Sequence, residues 1–181
     1  MKHLTITYGK ILALGLLAVL FASCEEDSVD MNSVDMNFSF TCNNGLLEFV
    51  VPTVEYVDED GKAQQIVLDE AQAWNESDET IKIWTQHLHF NSLDVTRQFT
   101  ITYRPRTGVE ATQETYAFAR SFGCTVQVEP GHGQDYSFPI KHNVSVISKD
   151  NVNYFITQLA STPDVWFVSV DKDGNITNEE K

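Results

Sequence analysis

Tyr116-Ala117-Phe118-Ala119-Arg120-Ser121-Phe122-Gly123-Cys124-Thr125-Val126-Gln127-Val128 places Tyr116, Phe118, Phe122, Cys124, Val126 and Val128 on one side of an extended chain, with Arg120 the single break. Successive side chains of a strand point to opposite faces, so a period of two marks a strand with one buried face. Gly123 predicts a bend or bulge there, because glycine weakens a strand interior and admits unusual backbone angles. The same period recurs in both directions. Phe38, Phe40 and Cys42 alternate with Ser39 and Thr41; Phe99, Ile101 and Tyr103 alternate with Gln98, Thr100, Thr102 and Arg104. Trp166, Val168 and Val170 form a further inward set, with Val165 and Phe167 implying partial cover on the other face. Val54-Glu55-Tyr56, Ile66-Val67-Leu68 and Val144-Ser145-Val146 supply shorter strands.

Turns separate these strands. Val57-Asp58-Glu59-Asp60-Gly61-Lys62 and Val170-Asp171-Lys172-Asp173-Gly174-Asn175 are near copies, each with Asp-Gly where a hairpin needs positive φ. A calcium loop of the EF-hand kind needs oxygen ligands at its first, third and fifth positions and a Glu at its twelfth, a spacing that neither segment has. One helix is predicted late in the chain: Val152, Phe155, Ile156 and Leu159 fall at i, i+3, i+4 and i+7, with Ser148 or Asp150 to cap the start and Pro163 beyond the end. Thr80 to Phe90 fits either period, and its second half is assigned to a strand. The fold class expected is all-β, or β-rich α+β: a β-sandwich with one short helix packed on it near the C-terminus.

Composition narrows function. The chain has 181 residues, 42% hydrophobic and 11% aromatic, enough for one domain with its own core. Against 12 Lys and Arg stand 26 Asp and Glu, a formal net charge of −14. A surface this acidic repels phosphate backbones, so a nucleic-acid partner is excluded.

The N-terminus reads as an address. Lys2 and Lys10 precede the apolar run Ile11 to Ala22, which is too short for a membrane span of ~20 residues. Leu20-Phe21-Ala22-Ser23-Cys24 resembles the lipobox of bacterial lipoproteins, and the resemblance implies that Cys24 becomes the lipidated first residue. Phe21 is looser than the usual Leu at its position. Glu25-Glu26-Asp27 resembles the acidic export signal of Bacteroidetes surface lipoproteins, and Asp27-Ser28-Val29 is similar to the O-glycosylation acceptor of that phylum, implying a glycan on Ser28. The implied location is the outer membrane, lipid-anchored through Cys24 and exposed at the cell surface. Ser28-Val29-Asp30-Met31-Asn32 repeats as Ser33-Val34-Asp35-Met36-Asn37, and this polar tandem reads as linker. The expected organisation is residues 1–23 signal peptide, 24–37 acidic tether and 38–181 a single sandwich domain.

His89-Phe90-Asn91-Ser92-Leu93-Asp94-Val95 followed by Phe99-Thr100-Ile101-Thr102-Tyr103 resembles the strand, turn and Tyr-ended strand of Ig-like domains in such lipoproteins. The resemblance implies an Ig-like sandwich and no enzymatic family. With Cys24 assigned to lipid, Cys42 and Cys124 remain an even pair in an oxidising compartment, either a disulfide or two separate buried thiols. A bridge would close a loop of roughly 80 residues, worth ~4 kcal/mol on the chain-entropy model.

No catalytic motif stands out: the chain has no Gly-x-Ser-x-Gly elbow, phosphate-binding loop or His-Glu-x-x-His. His87 and His89 share a strand face and are a candidate chelating pair with His132 or His142 as third ligand. No third ligand is placed by sequence, so the reading is surface histidines with no metal or other cofactor. Cys42 and Cys124 at inward positions are inert rather than nucleophilic. Two functional classes follow. The first is a non-catalytic binding or adhesion module for a glycan or protein ligand, with Trp74, in the polar stretch Gln72-Ala73-Trp74-Asn75-Glu76-Ser77, as its exposed platform. The alternative is a small extracellular hydrolase or inhibitor.

Overall fold

The computed structural model describes residues 32–129, 136–137 and 141–180. In chain order the elements are β1 (Ser33–Asn43), the one-turn helix α1 (Asn44–Leu47), β2 (Val50–Val57), β3 (Ala63–Val67), β4 (Glu76–Ser77), β5 (Ile81–Phe90), β6 (Val95–Pro105), β7 (Thr115–Glu129), β8 (Tyr136–Ser137), β9 (Lys141–Ser148), α2 (Val152–Ser161), β10 (Asp164–Val170) and β11 (Ile176–Glu180). Two sheets form. One runs β4-β5-β1-β7-β8, with β9 also paired to β7; the other runs β11-β10-β6-β2-β3. Every pairing is antiparallel. This is a β-sandwich with one short helix near the C-terminus, as the sequence predicts.

The inward faces are the apolar sets of the sequence. Phe38, Phe40 and Cys42 on β1, Phe99, Ile101 and Tyr103 on β6, and Trp166, Val168 and Val170 on β10 are all buried. The six apolar residues of the β7 alternation are buried as well. Burying a side chain of this size contributes about 1.5–3 kcal/mol, so the interdigitated rings dominate the favourable side of folding. Phe99 lies at the centre: it stacks on Phe38 from the opposite sheet and on Tyr56, with centroids 5.1 Å apart and planes at 9° in the second pair.

Several local expectations are corrected. The β1–β7 register runs unbroken through Ser39 opposite Gly123, so the glycine makes no bulge in that ladder. The whole of Ile81–Phe90 is strand. β1 starts at Ser33 rather than Phe38: Val34 and Met36 of the second pentapeptide are fully buried, while Ser33, Asp35 and Asn37 alternate with them. The segment expected as tether therefore ends at least five residues earlier. Helix α2 buries Val152, Ile156 and Leu159 as its spacing predicts. Its start is reached through a 3-10 turn over Lys149–Asn151, and neither Ser148 nor Asp150 supplies a side-chain cap.

Both Asp-Gly segments are tight turns of one design. Gly61 and Gly174 have φ of 77° and 79°, a region open to glycine at little steric cost. Asp58 Oδ1 accepts from the backbone N–H of Asp60 and Lys62, and Asp171 Oδ1 from those of Asp173 and Asn175. In β9 the alternation is inverted relative to the core, since Val144 and Val146 are 67% and 73% exposed.

Candidate functional site

Arg120, the break in the apolar alternation, faces the interior from β7 near the margin where the two sheets part. Its Nε donates to Asp164 Oδ2 at 2.8 Å and its Nη2 to Asp164 Oδ1 at 3.3 Å, a two-point pairing between β7 and the first residue of β10. The Tyr103 hydroxyl, from β6, donates to the same Oδ2 at 2.6 Å, and the guanidinium carbon lies 5.5 Å from the Tyr103 ring centre. Burial works against the guanidinium charge, but the hydrogen bonds and charge of Asp164 outweigh it and raise Arg120 above its ordinary value. Burial, then the Asp164 charge, push the Tyr103 hydroxyl well above the usual phenol range. Arg120 is thus held as the cation and Tyr103 as the neutral phenol near neutrality.

Beside this trio lies a cavity of about 20 Å³ lined by Phe40, Phe122, Asn143, Trp166 and the ion pair. Such a space admits about one water. The indole Nε1 of Trp166 is buried and finds no acceptor among the described residues. A buried N–H without a partner costs about 1–3 kcal/mol. The residue carrying that donor and the Asp164 carboxylate both line this cavity, and a hydroxyl or water that reached both would accept from the one and donate to the other.

The residues singled out by sequence are distributed differently. Trp74 is no exposed platform: it is 6% exposed, its ring centre lies 6.1 Å from that of Phe40, and Lys82 Nζ lies 6.0 Å above it. Cys42 and Cys124 are free and buried, not bridged. The register explains why. Cys124 stands opposite Phe38, four residues along β1 from Cys42, or about 13 Å at strand rise, and a disulfide needs Cα atoms within roughly 7 Å. Burial pushes both thiols up to about 12, which removes the reactive thiolate.

His87 and His89 do share the outer face of β5. Their partner is Asp35 from β1, directly opposite His89, whose Oδ1 lies 2.8 Å from His87 Nε2 and 3.0 Å from His89 Nδ1. Burial works to raise the Asp35 carboxyl, but hydrogen bonds from His89 and His87 hold it below its usual range; the Asp35 bond, then that to Asn91, raise His89. Among the described residues no group of three His, Cys, Asp or Glu side chains could hold a metal ion. His142 does not join the pair, because its backbone pairs with Ser121, which is opposite Thr41 and about 20 Å along β1 from Asp35. His132, Cys24 and Ser28 lie outside the described residues.

Sequence reasoning missed Asp164, Tyr103 and Asp35 as polar partners. The lone Arg in an apolar alternation was the available signal for the first two, since an inward cation requires an acceptor from the facing sheet. No protein-family model matches the chain, and no curated protein matches it. No described helix is long and apolar enough to cross a membrane.

Proposed function

We propose that the protein is a surface-displayed lipoprotein, held in the outer membrane through Cys24, that acts as a non-catalytic binding module for a glycan. The observation that carries the ligand class is a cavity of one-water size lined both by Trp166, whose N–H has no partner among the described residues, and by the Asp164 carboxylate. A sugar hydroxyl fits both size and polarity, accepting from the indole and donating to the carboxylate, while the rest of the sugar stays at the mouth near Asn143. The anchor rests on the basic start, the apolar run and the small residues before Cys24. The former platform residue Trp74 has no part in this reading, because it is core.

The test is a glycan array with the folded domain, followed by Trp166→Phe, which keeps an aromatic ring and removes the N–H. Binding to a glycan class that falls about tenfold in Trp166→Phe, with an unchanged circular dichroism spectrum, supports the reading; a tenfold loss corresponds to about 1.4 kcal/mol. Silence across the arrays, or turnover of a glycan, overturns it. Cys24→Ala should release the protein from membranes, and full retention of that variant would overturn the anchor.

A further inference from the structure

The margin of β9 that faces away from β7 is a surface the cleft does not use. We propose that two copies of the chain join there, β9 pairing antiparallel with β9 of the second copy into one continuous sheet. Hydrogen-bond parity fixes which groups face outward. The Lys149 N–H donates to Glu114 O at 3.0 Å, one step beyond the Thr115–Ser148 pair, so the odd-numbered residues of β9 bond to β7. The parity of β7 agrees. Ala117 O and Ala119 N–H point the other way and are taken by the Asn43 side chain at 2.7 and 2.9 Å. The N–H and C=O groups of Val144 and Val146 therefore point away from β7, and among the described residues no strand or side chain takes them.

The same two residues carry the apolar surface. At 67% and 73% exposed, Val144 and Val146 stand with Tyr154 as the most exposed large hydrophobic residues described. Beside them on the outer face lie Ala119 and Ala117, their partners on β7. Asn143, which lines the cleft, projects to the opposite face.

Other margins are guarded. On the open side of β5, Asn75 Oδ1 accepts from the Thr85 N–H at 2.6 Å and the Glu59 carboxylate from the His89 N–H at 3.2 Å. β11 carries Glu179 and Glu180. Charges, prolines and bulges of this kind keep edge strands from pairing, and residues 143–148 of β9 include no charged residue and no proline. A row of free backbone groups at strand spacing is matched by another extended strand.

The edge fits a second copy of itself. About a two-fold axis at Ser145, Val144 of one copy stands opposite Val146 of the other. Both have backbone groups that face the partner, so each such pair exchanges both of its N–H···O bonds, and the valines of the two copies meet on the outer face. Charge fits as well. The chain has a net charge of −14 and repels its copy at long range, but residues 141–149 include no Asp or Glu, so the paired strands bring no two carboxylates together.

Sedimentation velocity of the full chain, kept in a mild detergent to shield the N-terminal apolar run, tests this. The expected result is a reversible dimer with micromolar Kd that tightens from 50 to 500 mM NaCl, because salt screens the like net charges. Val146→Pro removes an N–H that β7 does not use, so it should weaken the dimer at least tenfold with an unchanged circular dichroism spectrum. The Val144→Lys/Val146→Lys variant should do the same. Ser145 meets its own copy in a non-hydrogen-bonded pair, where Cα atoms are ~4.5 Å apart, so Ser145→Cys should link two chains on mild oxidation and Val144→Cys should not. Peptide mapping separates that link from any at Cys24. A monomer at every concentration up to about 500 µM, a dimer that persists unweakened in both edge variants, or one that loosens with salt overturns the proposal. So does a Ser145→Cys protein that forms no link at that position.

Discussion

Arg120 on β7 and Asp164 at the head of β10 pair across the gap between the sheets, with Nε 2.8 Å from Oδ2. The side chains are 17% and 30% exposed, so the pair is shielded without being sealed. Removing one partner leaves the other charge poorly compensated, and that should cost more than removing both.

Arg120→Met and Asp164→Leu should each destabilise by about 2–4 kcal/mol, at or below the range for fully buried pairs because solvent reaches this one. The double variant should recover part of the loss. Urea unfolding of all four proteins measures the cycle, and strictly additive losses would show that the pair is not coupled.

Trp74→Ala should unfold the domain more easily by about 3–5 kcal/mol, since it opens a cavity against Phe40. A variant that melts within a degree or two of the parent would return Trp74 to the surface.

Cys42 and Cys124 should both resist iodoacetamide at pH 8 in the folded protein and both react once it is unfolded. Peptide mapping reads each site separately and leaves Cys24 out of the comparison. A non-reduced peptide joining Cys42 to Cys124 would refute the register between β1 and β7.

Acid should loosen the two Asp-Gly turns. Backbone hydrogen bonds, that from Lys62 foremost, lower Asp58 below the ordinary carboxylate range, and the Asn175 side chain and backbone do the same for Asp171. A group with a depressed folded value stabilises above its unfolded value, about 3.9, and loses that contribution as pH falls through the folded value. Thermal melts between pH 5 and pH 2 should therefore decline less steeply for Asp58→Asn/Asp171→Asn, whose amide oxygens still accept but do not titrate. An unchanged slope would assign the acid sensitivity to other carboxylates.

The inward faces were legible because one physical rule, burial on alternate positions, writes itself into nearby residues. The runs around Phe40, Ile101, Cys124 and Val168 all follow it. What local sequence concealed depended on residues far along the chain. Trp74 sits among Gln, Asn and Glu, yet its cover is Phe40. Asp35 belongs to one of two identical pentapeptides, and composition alone gives no reason to pair one of them with β5. Val144-Ser145-Val146 forms the strand its alternation predicts, but which face it turns to solvent is set by β9's place in the sheet, and both valines are exposed. The thiols share a parity but not a register, and only register sets their distance.

The position of β1 has a mechanical consequence. It lies inside its sheet, paired to β5 on one side and β7 on the other. Tension entering the domain ahead of Ser33, along the strand axis, meets two ladders loaded in parallel, so their bonds share the force and yield together. An outermost strand pulled sideways would instead come away one bond at a time. Were the chain held ahead of Ser33, as the proposed anchor requires, the domain would keep its shape under load.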